Sequence, residues 1–163
     1  MEMTARTAMW FLPAVIPIAI YVSWTDMSTM KITNKAVMVL VIAYAVLGLF
    51  ALPFGVYLWQ WSHLFIMLLV GILLNAAGLM GAGDAKFIAG ASPMLFIGDL
   101  RLIIVLLAAA MLSGLLTHRL AKYSPLRRAV PHWQSWEDGK RFPLGFPLSM
   151  TLVLYLLIVA VYR

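Results

Sequence analysis

The chain has 163 residues, of which 64% are hydrophobic and only 11% charged, and its mean hydropathy is +0.96. A soluble domain keeps about a quarter of its residues charged, so this composition belongs to the bilayer class, with lipid as the main solvent. The absence of cysteine excludes disulfides, thiolate zinc sites and cysteine nucleophiles together, and the net charge of +6 sits between apolar runs, which fits membrane orientation rather than a nucleic-acid partner.

A spanning helix needs about 20 mostly apolar residues. The first such segment runs from about Ala8 to Trp24, with Pro13 and Pro17 inside it as expected kinks. Arg6 precedes it as a basic residue would precede a signal peptide. The stretch from Ser23 to Lys31 lacks a small-residue cleavage pattern, so the segment is read as retained. A second segment runs from about Ala36 to Leu52 and stops at Pro53, since proline removes a helical donor. The third runs from about Tyr57 to Leu79. A shorter fourth follows Asp84 and reaches about Ile97; it is marginal for a full span and is expected to tilt or to begin below the membrane surface. The fifth covers about Leu100 to Leu120, and the sixth about Leu144 to Tyr162. Between these two, residues 121–142 form the only long polar loop, which is basic and carries Trp133 and Trp136, residues suited to the membrane interface. The expected architecture is an all-α polytopic membrane protein of about six transmembrane helices, forming one domain over residues 1–163.

Six spans put both termini on one side, and the loop charges decide which. The connections after segments one, three and five carry Lys31, Lys35, Lys86, Arg119, Lys122, Arg127, Arg128, Lys140 and Arg141, against Arg6, Arg101 and Arg163 on the other side. Nine against three makes the first group cytoplasmic by the positive-inside rule, with both termini outside. In a bacterium the outside of the inner membrane is the periplasm.

Six residues are acidic. Glu2 is terminal, Asp99 falls in a short turn beside Arg101, and Glu137 and Asp138 lie in the polar loop. Asp26 and Asp84 differ, because each sits at the cytoplasmic edge of an apolar helix, where a carboxylate is costly without a partner or water. Two intervening spans return the chain to the same face, so the two aspartates share a side and a depth. Asp84 follows Gly81-Ala82-Gly83 and precedes Ala85-Lys86. Glycines there open backbone conformations closed to other residues and permit close approach of another chain. Asp84 as a plain helix N-cap is an equally weighted reading of that motif by itself. Asp26 ends the first helix, where the dipole disfavours a carboxylate, so capping explains it less well.

These elements resemble the type IV prepilin peptidases, membrane aspartyl proteases of the GxGD type. That family pairs an aspartate shortly before an Ile-Pro-Asn element with a second aspartate in Gly-x-Gly-Asp-x-Lys. Here Asp26 is followed by Ile32-Thr33-Asn34, and Asp84 lies in Gly81-Ala82-Gly83-Asp84-Ala85-Lys86, with Thr33 in place of the family proline. A Pro-Phe-Gly-Pro-like stretch that opens the family's last helix is matched by Phe142-Pro143-Leu144-Gly145-Phe146-Pro147. The plainer reading of those prolines is a helix start. The chain lacks the cysteine-bearing insertion of the larger members that also methylate the pilin, and is most similar to the compact CpaA/TadV-like peptidases of tight-adherence pilus systems.

The resemblance implies Asp26 and Asp84 as the catalytic pair, with Gly81, Gly83, Lys86 and Asn34 in the active-site loops. Pro143, Gly145 and Pro147 would help to shape the substrate cleft. The implied substrate is an Flp-like type IV prepilin, cleaved at the boundary of its basic leader, with pilus assembly machinery as a further partner and the lipid bilayer as the surroundings. No cofactor or metal is expected: His63, His118 and His132 form no ligand pattern. Lys86 is equally explained as an interfacial lysine, and Asn34 as a cap of the second helix. Two other classes share the aspartates, a proton-coupled transporter and a noncatalytic pilus or secretion assembly subunit. The transporter would place a carboxylate near the midplane and show repeat symmetry, and neither is evident.

Overall fold

A computed structural model describes residues 2–137 and 142–163 of the chain. Asp138, Lys140 and Arg141, counted above in the polar loop, lie outside the described residues. Six α-helices follow one another: α1 (Ala5–Thr29), α2 (Asn34–Ala51), α3 (Phe54–Ala76), α4 (Ala82–Ala91), α5 (Leu100–Lys122) and α6 (Gly145–Tyr162). No strand occurs among the described residues. All except α4 are long and apolar enough to cross a membrane.

The boundaries have local causes. Thr4 caps α1 by accepting the N–H of Thr7, and Pro13 and Pro17 lie within a helix that continues unbroken to Thr29. Met30 then closes α1 in the left-handed region, at φ 54°. Thr33 caps α2 by accepting the N–H of Ala36, so the cap expected of Asn34 belongs to its neighbour. Pro53 ends the α2–α3 connection, and the two helices are stapled by reciprocal phenol bonds. Tyr44 donates to the carbonyl of Tyr57 at 2.8 Å, and Tyr57 to that of Ala45 at 3.1 Å. In lipid such donors need protein partners, because no water is available to satisfy them.

The marginal fourth segment resolves into a helix of only 10 residues. At about 1.5 Å per residue it covers roughly half of a 30 Å hydrocarbon core. Two 3₁₀ turns, Ser92–Met94 and Ile97–Asp99, carry the chain onward to α5. Non-helical backbone at such depth is tolerated where protein buries it, and Ser92, Pro93 and Met94 are buried.

Packing is led by α1 against α6, with α3 against α4 second. Apolar burial drives little helix association in lipid, so close fit and small residues matter more. A Cβ at Gly71 of α3 would come within 2.9 Å of the Ala85 Cβ on α4. Ser23 of α1 and Ser149 of α6 share a hydroxyl hydrogen bond of 2.8 Å. Helix α5 packs chiefly on α6, leaving an apolar groove between itself and α3.

α1 and α6 run antiparallel. One end of the bundle joins Asp26 to Gly145; the other joins Met3 and Arg163 through Asp99. The segment 82–99 therefore runs from one end of the bundle to the other despite the short helix.

Candidate active site

Asp26 lies in the last turn of α1 and is 5% exposed. Its Oδ2 accepts the backbone N–H of Gly145, the first residue of α6, at 2.6 Å. This approach requires glycine: a Cβ at position 145 would sit 2.9 Å from both Cβ and Oδ2 of Asp26. Pro143 and Pro147 flank Gly145 and are buried with it. Of these three residues, expected as walls of a cleft, Gly145 donates its N–H to the Asp26 carboxylate.

Asp84 occupies the first turn of α4 and is half-buried. Gly81 is the N-cap residue, and the Asp84 side chain reaches back to accept its N–H. The capping role weighed for Asp84 is thus real in part, but the carboxylate is also within electrostatic reach of Asp26. Neither Gly81 nor Gly83 adopts a positive φ; among the described residues the glycine that does is Gly78, at 72°, in the turn before them. What the motif glycines supply is room. A Cβ on Gly81 would lie 2.7 Å from Oδ2 of Asp84, and one on Gly83 would lie 3.3 Å from the Ile32 Cβ.

Asn34 and Lys86 meet across the same region. The Lys86 ammonium donates to Oδ1 of Asn34 at 3.1 Å, tying the start of α2 to the first half of α4. Lys86 is exposed, in keeping with an interfacial lysine, yet its bond also fixes the helix that carries Asp84.

Four helix ends thereby converge: the C-terminus of α1 and the N-termini of α2, α4 and α6. The N-terminus of α4 is the favourable end of a helix for a carboxylate and the C-terminus of α1 the unfavourable one, so the two aspartates are not equivalent. Each has a backbone N–H directed at it, Gly145 for Asp26 and Gly81 for Asp84. Two carboxylates near one another resist being charged together.

Among the histidines, His118 stacks on Trp136 at 4.9 Å and meets Phe142 edge-on, while His132 is exposed. Among the described residues no group of three or more His, Asp or Glu side chains could hold a metal ion.

Asp99 is the residue whose part the sequence conceals. It stands in a 3₁₀ turn, as expected, but it is 2% exposed and gathers three distant groups. The Met3 N–H and the Tyr155 hydroxyl donate to Oδ2 at 3.0 and 2.7 Å, and Arg163 lies 2.6 Å from Oδ1. Its position between two apolar segments is the one signal that would have singled it out. All of this occurs at the end of the bundle remote from Asp26 and Asp84.

Comparison with known proteins gives a sequence-family match over residues 14–118, to the type IV leader peptidase family. Asp26 and Asp84 both lie in the matched stretch, and residues 142–147 lie beyond it. Neither the curated proteins nor the solved structures yielded a match.

Proposed function

The chain belongs to the type IV leader peptidase family, and from that premise we propose that it is the prepilin leader peptidase of an Flp-like pilus system, with Asp26 and Asp84 as its catalytic pair. The family is one of aspartic-type peptidases, and five helices able to cross a membrane fit a multi-pass membrane enzyme. One observation carries the assignment of the pair. Asp26 and Asp84 are 58 positions apart in sequence and on different helices, yet both stand at one end of the bundle, close enough for the charge of one to act on the other.

In the proposed reaction one carboxylate is ionised and accepts a proton from water as the oxygen attacks the scissile carbonyl carbon. The other is protonated and donates to the carbonyl oxygen. Collapse of the tetrahedral intermediate breaks the C–N bond, and a carboxyl returns its proton to the departing amine. The two titrations belong to the pair, so acid and base are not assigned singly.

Gly145 and Gly81 hold the carboxylates through their N–H groups, with Gly83 admitting Ile32 alongside. Lys86 and Asn34 brace α4 against α2. Pro143 and Pro147 keep the start of α6 in place beside Asp26.

The site faces the cytoplasm of a bacterial inner membrane in this reading, because the basic connections share its end of the bundle. The substrate's basic leader would meet that face, with its apolar helix in the bilayer. Cleavage alone is proposed, without methylation of the product.

The test is coexpression with an Flp-like prepilin. Wild type should remove the leader, while Asp26→Asn and Asp84→Asn, present at equal levels in the membrane, should each fall by at least about a hundredfold. Continued processing by either variant would sink the assignment of the pair. Proton flux without cleavage would favour a transporter.

A further inference from the structure

The apolar groove between α3 and α5 is floored by α4 and α6 and encloses about 430 Å³. Its position follows from the brevity of α4: where a full span would fill the space, 10 residues of helix and two tight turns leave one side open. We propose that this groove is the docking slot for the apolar helix of the substrate, a reading that rests on the peptidase function proposed above.

Continuity with the site is the first argument. Phe87 and Ile88 line the groove, and they stand three and four residues after Asp84, on the same face of α4. The lining continues to Ile97 and Leu100, beside Asp99 at the opposite end of the bundle. A chain presenting a peptide bond to Asp84 and continuing as an apolar helix across the bilayer would therefore run along this groove.

Size is the second. A whole helix is about 10–12 Å across with its side chains. A half-open groove of 430 Å³ is too small to enclose one along this length, but it can receive the side chains of one helical face, as in helix-in-groove recognition.

The third concerns His63. Three polar side chains line the groove, and two are satisfied: Ser92 donates to the Ala89 carbonyl and Thr151 to that of Pro147. The third is His63, whose Nε2 is buried without a hydrogen-bond partner among the described residues. Protein covers that nitrogen, so the wall the groove presents is almost wholly apolar and matches the apolar face of a docked helix.

Photo-cross-linking tests the proposal in the full chain. p-Benzoylphenylalanine replaces Ile104 in the groove, or Leu49 on the exposed face of α2, in an Asp84→Asn background coexpressed with an Flp-like prepilin. The expected result is a prepilin adduct at position 104 at least ten times more abundant than at position 49. Equal yields at the two positions, or adducts at 104 only to lipid or to a second copy of this chain, would overturn the proposal.

In the otherwise intact enzyme, Ile104→Trp should raise KM at least fivefold with little change in kcat. An unchanged KM would count against the slot. Binding is read here without cleavage, so the two readings fail separately. A prepilin adduct at 104 beside an inactive wild type would uphold the groove and sink the peptidase.

Discussion

The backbone N–H of Gly145 donates to Oδ2 of Asp26 at 2.6 Å, joining the last turn of α1 to the first turn of α6. The two residues are 119 positions apart. The bond turns the most extensive helix pairing among the described residues, α1 with α6, into the support of one carboxylate. It also explains the placement of glycine at the start of α6, where any side chain would collide with Asp26.

Gly145→Ala is therefore expected to displace Asp26. The added methyl would have to be absorbed at 2.9 Å from the carboxylate, at a cost of about 1–3 kcal/mol in stability. Peptidase activity should fall more than stability does, since the carboxylate moves with the helix. The check is prepilin cleavage together with a thermal shift in detergent; wild-type activity in Gly145→Ala would show that this contact does not position Asp26.

A pair of carboxylates that shares one proton gives a pH–rate profile with two limbs. Below the lower apparent value both groups are protonated and no base is present; above the upper value both are ionised and no acid remains. The value of kcat/KM should rise with pH along the first limb and fall along the second. A profile flat across both limbs would argue against a dyad mechanism.

The polar cluster on Asp99 predicts a separation of stability from chemistry. Asp99→Ala leaves the Met3 N–H, the Tyr155 hydroxyl and Arg163 without their common acceptor. Arg163 is exposed, but a buried donor left without an acceptor costs about 1–3 kcal/mol. The variant should unfold more readily in denaturant, while the fraction that stays folded should cleave prepilin at close to the wild-type kcat, since the cluster is at the far end of the bundle. A kcat loss as large as that of Asp84→Asn, in protein of unchanged stability, would contradict this division.

The Lys86–Asn34 bond is exposed, and exposed polar pairs contribute about 0–1 kcal/mol. Lys86→Met and Asn34→Ala should each lower activity by less than about tenfold, and the double variant should be no worse than the more affected single one. A loss beyond a hundredfold in Lys86→Met alone would mean that the ammonium acts on the substrate or on the carboxylates directly.

Much of this protein is written in hydropathy and helix parity, which are local or additive properties of the chain. Five long apolar runs, a short fourth segment, and the placement of Asp26 and Asp84 at the same end all follow from counting. So does the concentration of Lys and Arg at that end, and the glycine motif marks Asp84 without any fold.

The tertiary structure decided what counting does not reach. Parity puts two aspartates at one end of a bundle but leaves their separation open, because separation depends on which helices pack together. The partners of Asp26 and Asp84 are backbone N–H groups, and every non-proline residue carries one, so no residue type announces them. Thr33 rather than Asn34 caps α2, because the cap depends on where the helix begins by a single residue. Asp99 gathers Met3, Tyr155 and Arg163 only once the two ends of the chain meet. The groove exists because α4 stops after 10 residues while its neighbours continue, and that vacancy belongs to the assembled bundle rather than to any segment of it.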